Sequence, residues 1–230
     1  MDGFAFPVEV LRTNRKKSAS IRLDGDLVKV SVPMSLSDTR IRDLVTRKTS
    51  WIKKKLKEQS ELPLIKPKEY VSGETFPYLG KNYRLKVVKG DIPSIKLKNG
   101  YLIATVPESS SGTQEEVRVL LETWYRSHAE VRLQDKSERL AKVVGVTPNS
   151  ISVLSYKSRW GSCSIKGDLT FNWKIILAPH RIVDYVVVHE LCHLLEHNHS
   201  PRFWKLVERH VPEWRDCRNW LKGFPAHIGL

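Results

Sequence analysis

Residues 185–193 read YVVVHELCH, and this stretch is the strongest indication of the fold and chemistry of the C-terminal half of the chain. Its two histidines, His189 and His193, are four residues apart, so on an α-helix they share one face and can bind one metal ion. Glu190 lies between them, where it can take a proton from water that a bound metal has made more acidic. The HExxH pattern therefore predicts a Zn²⁺ site with a carboxylate base.

The four residues before the motif favour a metal site over two ordinary helix histidines. Residues 185–188 are apolar on every side of a helix, which predicts that this helix is buried. Burying an unpaired polar or charged group costs several kcal/mol, so buried His and Glu side chains need partners or a metal.

A catalytic zinc ion needs a third protein ligand, and the downstream candidates are Glu196, His197, His199 and Glu208. On an unbroken helix, His197 would lie about 12 Å along the axis from His189, too far for their rings to converge. If the helix ends near Glu196 and the chain reverses through Asn198 in a left-handed conformation, His199 can turn back toward the pair. We therefore predict His199 as the third ligand, with Glu208 as the alternative and His197 at the rim.

Helices and strands alternate along the rest of this half. A long helix is predicted over residues 113–143, followed by strands at 151–156, 160–165 and 169–172. Pro179 is a favourable first residue for the HExxH helix, which we expect to reach Leu195 or Glu196. Further helices are expected to begin at Pro201 and after Pro212.

The N-terminal half is predicted to be rich in β-strands. Three antiparallel strands are expected at 8–11, 20–23 and 27–32, then a helix over about 37–59 and short strands at 75–79, 83–88, 95–97 and 101–106. The predicted fold class is α+β, with a β-rich N-terminal module at 1–110 and a second domain at 111–230.

Charge and composition narrow the classes of partner. The 230 residues carry 39 basic and 25 acidic groups, a net charge of +14, with basic clusters at 15–17 and 53–57. Such clusters can bind a nucleotide or nucleic acid, although a solvated basic surface is the commoner explanation. Apolar runs far shorter than roughly 18 residues, the lack of a signal-peptide pattern and three cysteines predict a cytoplasmic protein with no membrane partner and no disulfide framework.

Several segments besides the motif resemble one family. The segments WGSC (160–163), LTFNW (169–173), NHS (198–200) and FW (203–204), together with residues 185–193, look like the YgjP-like metallopeptidases, and a looser likeness covers nearly the whole chain. The resemblance implies a minimal zincin-like domain with a backing helix, a three-stranded sheet, the HExxH helix and closing helices. It also implies kinship with WLM and SprT-type proteases. A metzincin is disfavoured because Glu196 stands where those enzymes have a glycine.

The same resemblance assigns roles to residues. It implies Zn²⁺ on His189, His193 and His199, with Glu190 as the general base. It also implies that the strand before the HExxH helix, with Trp160, Gly161, Ser162 and Cys163, binds an extended peptide as an added strand. An equally weighted interpretation is that this strand packs Trp160 into the core.

These observations predict a zinc-dependent hydrolase that cleaves peptide bonds in a peptide or protein substrate. Two alternatives stay open at this point. One is a metal-dependent phosphohydrolase acting on nucleotides, similar to a nucleoside triphosphate pyrophosphatase. The other is a nucleic-acid-associated module that carries a zinc site.

Overall fold

The computed structural model describes residues 3–60, 67–109, 114–156 and 158–224. Its mixture of helices and small sheets confirms the predicted α+β class. The chain divides into two compact units, Met1–Leu64 and Ile65–Leu230. None of the described helices combines the length and the apolar character that a membrane span requires.

The first unit is a three-stranded sheet covered by one helix. Its elements are β1 (Val8–Thr13), β2 (Ser20–Asp24), β3 (Leu27–Pro33) and α1 (Asp38–Ser60). The central strand β3 buries Val28, Val30 and Val32 on one face, and these pack in one core with apolar residues of α1 such as Ile41 and Val45. The alternating apolar residues of β3 and the apolar residues at helical spacing on α1 therefore form one small hydrophobic core.

The prediction that all three of these strands are antiparallel is wrong for one pair. Strands β2 and β3 form the expected antiparallel hairpin, but β1 pairs with β3 in parallel, with Val8 opposite Val28. The strand order is β1-β3-β2, so β3 has both other strands as neighbours. Because β1 and β2 run in opposite directions and β3 inserts between them, β3 must be parallel to one of them.

The second unit contains two sheets and four α-helices in its described part. The first sheet has β4 (Thr75–Tyr78), β5 (Lys81–Lys89), β6 (Ser94–Lys98) and β7 (Tyr101–Val106), in the order β4-β5-β7-β6. Helix α2 (Gln114–Val144) precedes the second sheet of β8 (Ser150–Leu154), β9 (Gly161–Cys163) and β10 (Asp168–Asn172), in the order β8-β10-β9. A 3₁₀-helix (Trp173–Leu177), α3 (His180–Cys192), α4 (Pro201–His210) and α5 (Trp214–Gly223) complete the unit.

The division between the units lies nearer the N-terminus than the boundary predicted at residue 110. The four-stranded sheet shares one hydrophobic core with α2 and α3. The Tyr125 hydroxyl donates to the carbonyl of Pro77 at 2.8 Å, and the Leu79 N–H donates to the carbonyl of Ile176 at 2.8 Å. Since charge and turn signals do not show which helix a sheet packs against, this shared core was not readable from the sequence.

Helix α3, which carries the HExxH motif, is held firmly in this core. Residues 185–188 are all buried, as predicted. Lys136 of α2 donates to the carboxylate of Asp184 at 2.6 Å, and Gly80 packs against the start of α3. A Cβ on Gly80 would lie 3.2 Å from the Cα of Pro179, and its φ of +88° also favours glycine. The helix that carries the motif is therefore held by contacts from α2 and from the turn between β4 and β5.

Candidate metal centre

Three histidine side chains come together at the end of α3. Nitrogen atoms of His189, His193 and His199 all lie within 4.8 Å of one another. The Nε2 atoms of His189 and His199 are 3.0 Å apart. The structure thus brings the predicted three residues into one cluster.

The end of α3 determines how His199 reaches the other two histidines. The helix ends at Cys192, one turn earlier than predicted, and continues as a tight turn in which the His193 N–H donates to the Glu190 carbonyl. The predicted left-handed conformation at Asn198 is wrong, because Asn198 is not among the described residues with positive φ. The early end of the helix already provides the reversal, so no left-handed residue is needed.

The other three candidates for a third ligand lie outside this cluster. Neither Glu196 nor His197 contributes a side-chain atom to the described group of three imidazoles. Glu208 accepts a hydrogen bond from Nη1 of Arg215 at 2.7 Å on the surface. Glu196 has a different part in the site, since its backbone carbonyl accepts a hydrogen bond from Nδ1 of His193 at 3.1 Å.

That backbone contact sets the tautomer of His193. A carbonyl can only accept, so Nδ1 of His193 carries the proton and Nε2 is left with a free lone pair. A hydrogen bond of this kind orients metal-binding histidines in proteins. The Glu196 carbonyl therefore prepares His193 to act as a ligand through Nε2.

Desolvation favours the neutral form of the three imidazoles, most strongly at His189, whereas His199 is the exposed member of the group. Desolvation lowers the pKa of His189 to about 3, with the neighbouring histidines adding to the effect. Desolvation also lowers the pKa values of His193 and His199. Neutral imidazoles have free lone pairs at pH 7, so no proton has to be displaced when a cation binds.

The donor set fits a zinc-like cation. Two nitrogens that each lie at the usual Zn–N distance of 2.0–2.1 Å from one tetrahedral ion are about 3.3 Å apart. The observed separation of 3.0 Å between the His189 and His199 nitrogens is close to that value. Three imidazoles also match the ligand chemistry of catalytic zinc sites, which keep a fourth position for water or substrate.

Glu190 lies on the strand side of α3 and is only 6% exposed. Burial raises the pKa of its carboxyl to about 8, although the positive charge of Arg159 acts in the opposite direction. A carboxyl group with a pKa near the working pH is suited to take up and return a proton. Its surroundings thus suit a general base.

Strand β9 lies directly against Glu190. The position of a Cβ on Gly161 would be 2.6 Å from Oε1 of Glu190 and 2.7 Å from its Cγ, so only glycine fits there without a shift. The strand is an outer strand of its sheet, paired with β10 alone among the described strands. It therefore combines an open edge with close contact to the carboxylate.

The four residues of the predicted peptide-binding strand separate into different environments. Trp160 lines the cleft beside His189 and also contacts the ring of Phe224, with centroids 5.2 Å apart. Ser162 shares a hydrogen bond with the Tyr156 hydroxyl at 3.1 Å, and Cys163 is partly buried, with burial raising the pKa of its thiol. Trp160 thus lies at the cleft and also packs on Phe224, and peptide binding by this strand stays a prediction.

Two residues near the histidines and β9 were not singled out from the sequence. Asn172, which is buried, donates to the carbonyls of Tyr156 and Arg159 at 3.0 and 3.2 Å, and so shapes the loop before β9. Trp204 of α4 lies over His199, with ring centroids 5.5 Å apart and planes 19° apart. Both residues stand in the segments that carry the family resemblance, which was the one available signal, but their partners are distant in sequence.

A comparison with family models places the whole site in context. The model of the YgjP-like metallopeptidase domain matches residues 17–224. The chain belongs to the YgjP-like metallopeptidase family. As a YgjP-like protein it is a member of a family of hydrolases whose peptidase chemistry uses a bound metal ion. A search of curated proteins finds no match.

Two solved structures are similar to part of this YgjP-like chain. The metallopeptidase zymogen of Pyrococcus abyssi abylysin is 23% identical, with a TM-score of 0.36, over 39% of this chain and 90% of that chain. The metallopeptidase zymogen of Methanocaldococcus jannaschii jannalysin is 19% identical, with a TM-score of 0.36, over 42% of this chain and 97% of that chain.

Proposed function

We propose that this YgjP-like protein is a zinc-dependent peptidase that cleaves peptide bonds in peptide or protein substrates. The convergence of His189, His193 and His199 beside a buried glutamate is the observation that carries the proposal. Membership of a metallopeptidase family supports peptides over nucleotides as substrates.

The three imidazoles would hold the metal ion through ring nitrogens, with His193 presenting Nε2. A Zn²⁺ ion bound there would supply Lewis acidity, which makes water more acidic and polarises a carbonyl group. Glu190 accepts the proton of the attacking water on a carboxylate oxygen and then delivers it to the nitrogen of the leaving amine. Its burial keeps this proton transfer away from bulk water.

The edge of β9 would bind the substrate backbone. An extended peptide that pairs with an open strand edge gains main-chain hydrogen bonds, and its scissile bond is then held at a fixed distance from the strand. Because Gly161 of β9 contacts Glu190, the pairing would bring the peptide to the carboxylate as well. Positioning of this kind lowers the barrier by removing freedom before the reaction.

The experiment is a comparison of wild-type protein with Glu190→Gln, which keeps the shape of the side chain but cannot accept the proton. Zinc content is measured by elemental analysis, and turnover is measured with a mixture of internally quenched peptides. We expect equal zinc content and a loss of about 10²–10⁴-fold in turnover in the variant. Full activity of Glu190→Gln would remove Glu190 from the reaction, and a wild-type protein that is zinc-loaded but cleaves no peptide would refute the peptidase function.

A further inference from the structure

The cleft over the histidines has a basic side that the peptidase chemistry does not use. Its volume is about 580 Å³, and besides His189 and His199 it is lined by Trp160, Tyr185, Trp204, Arg218, Leu221 and Lys222. Both cations come from α5, one turn apart on the same helix face. Among the described residues, no carboxylate lines this cleft.

Neither cation has an acidic partner among the described residues. Lys222 donates one hydrogen bond to the side-chain oxygen of Asn219 at 2.9 Å, and an ammonium group has three donors. The guanidinium carbon of Arg218 lies 5.0 Å from the centroid of the Trp204 ring. Stacking on an indole holds the guanidinium in place while its N–H groups stay available for a ligand.

The charge of Arg218 works against metal binding. Arg218 lines the same cleft as His189 and His199, two of the residues that would hold the metal ion. A second cation close to a divalent metal ion costs Coulomb energy. The placement of Arg218 therefore needs another reason, and an anionic ligand that contacts both cations supplies one.

We propose that Arg218 and Lys222 bind a carboxylate that the peptide substrate carries close to its scissile bond. The inference rests on the proposed peptidase function and adds the substrate class. A peptide offers two sources of this group, the side chain of Asp or Glu and the C-terminal carboxylate. A guanidinium group can donate two parallel hydrogen bonds to a carboxylate, which makes such a pair stronger than a neutral hydrogen bond.

The first test measures kcat/KM of the zinc-loaded protein on matched quenched peptides. Each peptide with Asp or Glu is paired with its Asn or Gln counterpart, and each free C-terminus is paired with its amide. For one of the two carboxylates, we expect kcat/KM to be about tenfold higher than for its neutral counterpart. A factor of about ten is what one charge-assisted hydrogen bond at a partly exposed site contributes. Arg218→Gln should remove the preference, and Lys222→Gln should reduce it.

Arg215→Gln is the matched control, because Arg215 lies on the same helix but pairs with Glu208 and does not line the cleft. It should keep the full preference. Added salt should weaken the preference of the wild-type protein, since the cations are exposed and their charges are screened. A wild-type protein that cleaves acidic and neutral peptides equally, or a preference that survives Arg218→Gln, would overturn the proposal.

A second measurement separates this proposal from the peptidase function. N-acetylglutamate α-amide, N-acetylglutamine with a free α-carboxylate, N-acetylglutamine α-amide and inorganic phosphate are titrated into zinc-loaded wild-type and Arg218→Gln proteins, and binding is followed by calorimetry. Arg218-dependent binding of either compound that carries a carboxylate supports the carboxylate site even if no peptide is cleaved. Equal affinity for all three organic compounds, or Arg218-dependent binding of phosphate alone, refutes it.

Discussion

Gly161 and Glu190 are in contact so close that a side chain on the glycine would overlap the glutamate. The position of a Cβ on Gly161 falls 2.6 Å from Oε1 of Glu190, and the carboxylate cannot easily move away because it is buried. The backbone conformation of Gly161 does not itself require glycine, since its φ is not positive. The glycine is needed for space.

Gly161→Ala should therefore displace the Glu190 side chain while leaving the three histidines in place. We expect unchanged zinc content, a loss of tenfold or more in kcat, and a decrease of about 1–3 kcal/mol in the free energy of unfolding from overpacking. Elemental analysis, steady-state kinetics and denaturant titration measure the three effects.

A double-mutant cycle tells whether this effect acts through Glu190. In a Glu190→Ala background the added methyl group has no carboxylate to meet, so Gly161→Ala should cost less than about 0.5 kcal/mol of unfolding free energy. An equal cost in both backgrounds would show that the strand itself, and not the glutamate, rejects the methyl group.

Removal of the metal should lower the thermal stability of the protein, because the cation binds only the folded arrangement of histidines. At a metal concentration about 100-fold above Kd, the expected stabilisation is about 2.7 kcal/mol. His199→Ala should strongly reduce this metal-dependent shift, whereas His197→Ala, the matched neighbour outside the cluster, should keep it. Differential scanning calorimetry with and without a chelator measures the shift, and a full shift in His199→Ala would exclude His199 as a ligand.

Asn172 should be sensitive to a substitution that keeps its shape. In Asn172→Asp, an oxygen replaces the nitrogen that donates to the carbonyls of Tyr156 and Arg159. These hydrogen bonds are partly buried, so leaving the carbonyls without a donor costs about 1–3 kcal/mol, and the repulsion between oxygens adds to this cost. We expect a lower unfolding midpoint for Asn172→Asp than for Asn172→Ala. Wild-type stability of Asn172→Asp would mean that the loop before β9 does not depend on this side chain.

Asp168 should make stability depend on pH in the acid range. Hydrogen bonds from Asn149, Ser150 and Ser164 hold the pKa of its carboxyl below its usual value. A group with a lowered pKa in the folded state stabilises the protein above its unfolded pKa of about 3.9, and this contribution is lost as the pH falls through the folded pKa. The difference in Tm between wild-type and Asp168→Ala should therefore be constant from about pH 7 to 5 and shrink below about pH 4. A difference independent of pH would show that ionisation of Asp168 is not involved.

Local patterns predicted most of the elements of this protein. The buried helix at 185–188 and the hairpin of β2 and β3 follow from apolar periodicity and turn residues, and both are present. Pairing between distant segments was less accessible. The prediction made β1 antiparallel to its neighbour, whereas β1 pairs with β3 in parallel. The prediction also grouped the four-stranded sheet with the N-terminal strands, whereas this sheet shares a core with α2.

The candidate metal cluster was predicted because spacing within one helix and one turn carries the information. The rest of the site depends on contacts across the fold. Arg218 approaches His199 from α5, and Gly161 meets Glu190 from another strand. Sequence distance hides such contacts, since a single chain shows neither which glycine faces the carboxylate nor which cation faces the cleft.

The acceptor for His193 Nδ1 is a main-chain carbonyl, that of Glu196. Alanine scanning would leave this acceptor intact, so position 196 should look dispensable in any survey based on side-chain replacement. Replacing the amide between residues 196 and 197 with an ester would weaken the carbonyl without changing either side chain. Semisynthesis of the C-terminal segment would therefore test a backbone contact that amino-acid substitution leaves unchanged.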